Sequence, residues 1–337
     1  MGGRLGLLAV AAALVAAACG GGAGGSVPDV ASAPPGSAMM EGLRVPEGSR
    51  LVGPVFARPA PEVVGAPPGA RATVALLEVD GDPFAAWDDL ARQARALGAP
   101  LPSSGVCAWY DVGDHEGSVR QPRPAAAGRP PGEVALSCEA SAQGPIGGGE
   151  LMSVTARLWQ GSEGAELGLD VVAGDVLGVG STAVRAGDPG AVRAFPEGDD
   201  PPVPARARAD VRPLPAGRHT AGPGERFGAK INCFESGYRR LRVPAGARLV
   251  GGAGTPALDS FGAVLAVRDA RAALRAIAGQ LDPTGPAEGE GTATVRRAVA
   301  GGHPVWRLSA SVGTGGGSCE MWSSPDGHAV MVIAHND

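Results

Sequence analysis

The sequence predicts an α+β fold of two tandem, divergently duplicated modules, each a mostly antiparallel sheet with one packed helix. Three observations predict it. The string LRVPEGSRLVG at 43–53 returns as LRVPAGARLVG at 241–251, with nine of eleven positions identical. A capped helical pattern follows each copy, and short apolar runs between turn residues follow each helix. The spacing between matching segments shrinks along the chain, so the first copy carries extra residues. These fall at 54–72 and 113–132, stretches rich in Pro, Ala, Gly and Arg that read as loops.

Each element has a local reason. Apolar residues flank the Pro-x-Gly of the repeated string, which predicts short strands around a turn. Val74–Val79 and Ala263–Val267 read as buried strands. Asp82 then suits an N-cap, Pro83 the first helical position and Gly98 the position past the end. Phe84, Trp87, Leu90, Ala94 and Leu97 form one apolar face at steps of three and four. In the second copy Asp269 caps, and Leu274, Ile277 and Leu281 make the face. Three strands close each module: Glu133–Ala140, Met152–Trp159 and Glu166–Val172, then Val305–Val312, Cys319–Ser323 and Ala329–Ala334. Ser324-Pro325-Asp326-Gly327 is a hairpin signal. Trp87, Trp159 and Trp322 sit at core positions of this scheme.

Composition bounds the function. Gly (55) and Pro (31) fill about a quarter of the 337 residues, which predicts many turns. Apolar content of 44% still supports a folded core, although aromatics at 4% leave it to aliphatic side chains. A net charge of −5 argues against a generic nucleic-acid binder, which needs basic residues to neutralise phosphates. Searched for chemistry, the sequence offers little. Gly-x-Ser-x-Gly, Gly-Lys, Ser-x-x-Lys, His-Glu-x-x-His and Cys-x-x-Cys are all absent, so no metal or other cofactor is expected. His115, His219, His303, His328 and His335 are scattered, and the acidic runs Asp80/Asp82 and Asp111/Asp114/Glu116 lack the full calcium ladder.

The amino end gives an address. Arg4 precedes an apolar run from Leu5 to Ala18, the pattern of a secretory signal. Ala16-Ala17-Ala18-Cys19, followed by three glycines, resembles the lipobox of bacterial lipoprotein precursors, with Ala16 where leucine is usual. The resemblance implies cleavage before Cys19, lipid on that cysteine and attachment to the membrane. The expected organisation is a signal peptide (1–18), a flexible Gly/Ala/Pro tether (19–40), a first module (41–175), a Pro/Gly/Arg-rich linker (176–228) and a second module (229–337). Within the linker, Arg206, Arg208 and Arg212 form a small basic cluster.

Four cysteines remain after Cys19: Cys107, Cys138, Cys233 and Cys319. An even number in an exported chain predicts disulfides, and the modular scheme favours Cys107–Cys138 and Cys233–Cys319. The expected function is a non-enzymatic binding or structural role in the cell envelope, with the membrane as partner through Cys19 and an envelope protein or polymer as a further one. Two alternatives stand beside it. One is an envelope hydrolase using carboxylates such as Asp80, Glu139 and Glu320; the other is an accessory subunit of an envelope complex.

Overall fold

The computed structural model describes residues 26–59, 70–101, 106–111, 134–145, 150–161, 164–175, 220–231, 239–252, 260–281, 293–311 and 318–335. Cys19, Cys233, His115, His219, the Arg206/Arg208/Arg212 cluster and most of the expected linker lie outside them. Among the described residues, fifteen strands accompany two helices, so the chain is richer in sheet than in helix, and the pairing is antiparallel.

The first sheet contains β1 (Ser49–Leu51), β2 (Phe56–Ala57), β3 (Arg71–Val79), β4 (Val106–Asp111), β5 (Val134–Pro145), β6 (Glu150–Gly161) and β7 (Gly164–Asp175). Its order is β1-β3-β7-β6-β5-β4, with β2 also on β3. A two-stranded ribbon pairs β8 (Arg226–Ile231) with β9 (Arg239–Arg242). The second sheet contains β10 (Ala247–Gly252), β11 (Ser260–Val267), β12 (Thr294–Ala300), β13 (His303–Ser311), β14 (Ser318–Ser323) and β15 (Ala329–His335), in the order β10-β11-β15-β14-β13-β12. The two sheets thus share one connectivity.

Helices α1 (Pro83–Ala96) and α2 (Ala270–Leu281) each cover one face of one sheet. Asp82 accepts from Phe84 N–H at 2.9 Å, and Asp269 accepts from Ala272 N–H at 3.1 Å, so both caps form as the sequence predicts. Gly98 turns the chain out of α1 at φ +100°. Trp87, Leu90 and Ala94 pack on the first sheet, and Leu274, Ile277 and Leu281 on the second.

Alternation along the strands decides what each sheet meets on its other side. In β6, Met152, Val154, Ala156 and Leu158 are buried towards α1 while Ser153, Thr155 and Arg157 are partly exposed. β3, β11 and β15 differ, being apolar on both faces. Ala75, Leu77 and Val79 join the core under α1, whereas Val74 and Leu76 face the second sheet. There they meet Val264 and Ala266 of β11, Met331 of β15 and Trp322 of β14. The layers therefore run helix, sheet, sheet, helix.

One segment crosses the second sheet from edge to edge. Val52 packs beside Val250, and a Cβ on Gly53 would lie 2.8 Å from Val264 Cγ1. Phe56 meets Trp322 edge-on, with ring centroids 6.4 Å apart. Arg58 reaches Glu320 of β14, and Pro59 bridges to Ala300 of β12.

Residues 26–40, expected to belong to the flexible tether, are part of the folded body. Ala33 pairs with Leu51, Met40 is buried, and Val27 and Val30 pack against the inter-sheet core. The same happens at 220–228, expected as linker, where Ala221 pairs with Leu249. Matching bonds recur on both sides. Arg44 and Arg242 donate from their backbone N–H to Gln93 and Gln280 at 2.8 and 2.7 Å. Their Nη1 atoms donate to the carbonyls of Gly36 and Gly224, both at 2.9 Å. Asp80 and Arg268 donate from their backbone N–H to Gly48 and Gly246.

The seam demands glycine at 252, where φ is +76° and an added Cβ would lie 2.3 Å from Leu76 Cδ2 and 2.5 Å from Gly262 O. Gly252→Ala is expected to cost about 2–4 kcal/mol, from backbone strain plus overpacking. Gly36→Ala, also at positive φ but with open space around it, should cost only about 1–2 kcal/mol. Denaturant unfolding of the two variants checks the difference.

Candidate functional site

The charged groups that the fold gathers lie mainly along the seam. Glu78 points from β3 towards the second sheet and is 4% exposed. Arg50, opposite it in register on β1, donates to one carboxylate oxygen, and Gly252 N–H donates to the other at 3.3 Å. This ties the first sheet to the second through a backbone amide. At the far end of the crossing segment, Arg58 Nη2 donates to Glu320 Oε2 at 2.8 Å. Arg307 of β13, 6% exposed, lies in the field of both. Burial pushes its guanidinium below the ordinary arginine value and Arg58 adds to this, while Glu320 pulls the other way. Glu320 thus pairs with Arg58 directly and favours the charge of Arg307 through its field. Trp322 is buried beside them, and its Nε1 has no hydrogen-bond acceptor among the described residues.

Two other clusters are structural in the same sense. Arg71 bridges Glu41 and Glu150 at 3.1 and 2.9 Å, which fastens the N-terminal segment to the β3 and β6 ends. The hydrogen bond from Arg71 holds Glu150 below the usual carboxylate range. In the β14–β15 hairpin, Ser324 Oγ accepts from Ala329 N–H at 3.0 Å, and Asp326 accepts from His328 N–H at 3.0 Å. Burial raises the Asp326 carboxyl, but its bonds to Ser324 and His328 together outweigh that and leave it lowered.

The carboxylates of the hydrolase alternative do not converge. Asp80 is exposed at the end of β3. Arg58, the partner of Glu320, hydrogen-bonds Ala72 at the other end of that strand, and eight residues of strand span about 26 Å. Glu139 lies on β5 opposite Arg157, its side chain outside the described part. Ser137-Cys138-Glu139 and Ser318-Cys319-Glu320 occupy β5 and β14, which are not matching strands in the two sheet orders. Among the described residues, no three His, Cys, Asp or Glu side chains are grouped to hold a metal ion. His303 and His328 are exposed.

Cys138 and Cys319 are buried and each is disulfide-bonded. Cys107 lies directly opposite Cys138 in the β4–β5 register.

Sequence reasoning missed the seam and its charges. The signal was present in the unbroken apolar runs of β3, β11 and β15, which imply burial on both faces. It also missed β12 and the β12–β13 hairpin, whose signal was Gly301-Gly302, both at positive φ between strand-forming residues.

No family model and no curated protein matches the chain. Comparison with solved structures pairs it with one from Thermobifida fusca YX assigned as a thioesterase II, at 10% identity over 78% of this chain and 93% of that one. The TM-score is 0.13, so the pairing carries no argument about fold or activity.

Glu320→Gln should destabilise the protein by about 1–3 kcal/mol, because it removes the carboxylate that pairs with Arg58 and favours the charge of Arg307 at a partly buried site. Adding Arg307→Met should recover much of that loss, as the buried charge goes with it. Equilibrium unfolding of the single and double variants measures the coupling; strictly additive losses would show that the groups are independent.

Proposed function

We propose that this is an exported lipoprotein, anchored through Cys19, whose two related modules serve a non-enzymatic binding or structural role in the bacterial cell envelope. The observation that carries the reading is the Ala16-Ala17-Ala18-Cys19 segment behind an apolar run with one preceding charge. Among the described residues no helix is long and apolar enough to cross a membrane, which says nothing of strands. The ordered body starts by residue 26, so at most a handful of residues separate it from the anchor, and the protein would ride close to the bilayer. The role as binder or scaffold draws support from the engagement of the seam carboxylates with arginines and backbone amides.

Duplication is part of the same reading. It is supported by the repeated string, the shared strand order and the matched bonds of Arg44 with Arg242 and Gln93 with Gln280. On this account Ala33-Pro-Pro-Gly-Ser37 and Ala221-Gly-Pro-Gly-Glu225 are also counterparts, and the modules begin earlier than the string alone suggests. The bridges Cys107–Cys138 and Cys233–Cys319 would then staple each module separately. Their loops of about 30 and 85 residues are worth roughly 3.5–4.5 kcal/mol each in the chain-entropy treatment.

Two experiments test these statements. Cys19→Ala should move the protein from the membrane fraction to a soluble exported or uncleaved pool; an unchanged membrane fraction would overturn the anchor. Non-reducing peptide mapping should recover the two intramodular bridges, and a Cys138 peptide linked to one from the second module would overturn independent staples.

A further inference from the structure

We propose that the face formed by α2 and the β12–β13 edge is a contact surface for anionic phospholipid headgroups. Trp306 is its centre. The guanidinium of Arg271 lies 4.6 Å from the indole centroid and that of Arg297 lies 4.8 Å from it. Arg297 is opposite Trp306 in register, and Val299, two residues on, shares its side of β12. Val299 is 59% exposed, the exposed large hydrophobic among the described residues. Arg275, also exposed, stands one turn along α2 from Arg271.

Among the described residues these arginines have no acidic counterpart: Arg271, Arg275 and Arg297 form none of the salt bridges, although the chain as a whole is acidic. The neighbouring acid, Asp269, is turned to Ala272 N–H as the cap of α2. Arg271 sits in the first turn of α2, where the helix dipole is already positive, so its charge adds to the field instead of opposing it. With no carboxylate among the described residues paired to them, the two cations on one ring repel one another, and an anion beside them relieves that repulsion.

The apolar part of the patch selects the partner. A free phosphate would satisfy the guanidinium groups but leave Val299, and the exposed part of the half-buried indole, in water. A headgroup layer offers phosphates to the arginines and an interfacial zone to the indole and the valine together. The anchor permits this orientation. Val27 packs at the seam, and eight residues back to Cys19 reach about 26–29 Å at most. Asp29 pairs with Arg248 on β10, five strand spacings from β12, or roughly 24 Å. The proposal rests on the tethered reading only for the nearness of the membrane.

The test uses the chain from residue 20 onward, which keeps every described residue and carries no lipid. It should co-sediment with vesicles of equal parts phosphatidylglycerol and phosphatidylcholine, and not with phosphatidylcholine alone. Raising salt from about 0.1 M to about 1 M, which shortens the screening length from about 10 Å to about 3 Å, should release it. Arg271→Ala with Arg297→Ala should weaken binding about 25-fold, near fivefold per arginine. Arg92→Ala with Arg95→Ala, an equal charge change on exposed positions of α1, should leave it unchanged, and unfolding curves establish that both variants are folded. Val299→Ser should weaken vesicle binding without changing retention on soluble polyphosphate. Equal binding to neutral vesicles, equal binding by the Arg271/Arg297 variant, or polyphosphate outcompeting vesicles would overturn the proposal. Because no lipid is attached, failure here leaves the Cys19 reading standing, and a soluble Cys19→Ala protein leaves this one standing.

Discussion

Strands β3, β11 and β15 are apolar on both faces, and that single constraint organises the molecule. A sheet covered by one helix would leave Val74, Leu76, Val264, Ala266 and Met331 in water. Burying a large side chain of this kind is worth about 1.5–3 kcal/mol, so the two sheets have strong reason to close on each other. Phe56 and Trp322, in a chain poor in aromatics, are placed at this closure. The helices can then each occupy only the remaining face.

The polar groups along the seam orient this packing more than they drive it. Burying Glu78 and Arg307 costs desolvation energy that their partners offset in part. Their value lies in direction. Apolar surfaces slide, whereas the bond from Gly252 N–H to Glu78 and the pair Arg58–Glu320 have one satisfactory arrangement. Gly53, Gly251 and Gly252 permit the approach, since an added Cβ at any of them would overlap the facing sheet or its own strands.

Much of each unit was legible in the sequence because it is local. The caps Asp82 and Asp269, the faces Phe84–Trp87–Leu90 and Leu274–Ile277, and the alternation of β6 are all set by residues within a few positions of one another. The N-terminal segment was hidden for the opposite reason. Residues 26–40 hold their place through a few apolar contacts and through backbone bonds, such as Ala33 with Leu51 and Gly36 with Val45, which leave little mark on composition. Their Gly and Pro residues, read as tether, are turn formers in an ordered segment. Strand β12 was hidden by its edge position, where arginines replace the apolar alternation of an inner strand. The contact of Arg58 with Glu320 joins residues 262 apart, and nothing nearby in sequence announces it.

The order of strands has a bearing on how the chain acquires its form. In each sheet the last strand, β7 or β15, is inserted between an early strand and the rest of the meander. The local hairpins β5–β6–β7 and β13–β14–β15 can assemble as they are made, but β3 must wait for β7, and β11 for β15. Each sheet therefore closes only when its final strand arrives, and until then β3 and β11 carry unpaired edges and uncovered apolar faces. Since the two early strands also hold the seam, the joined form of the two sheets is complete only when both closures are in place.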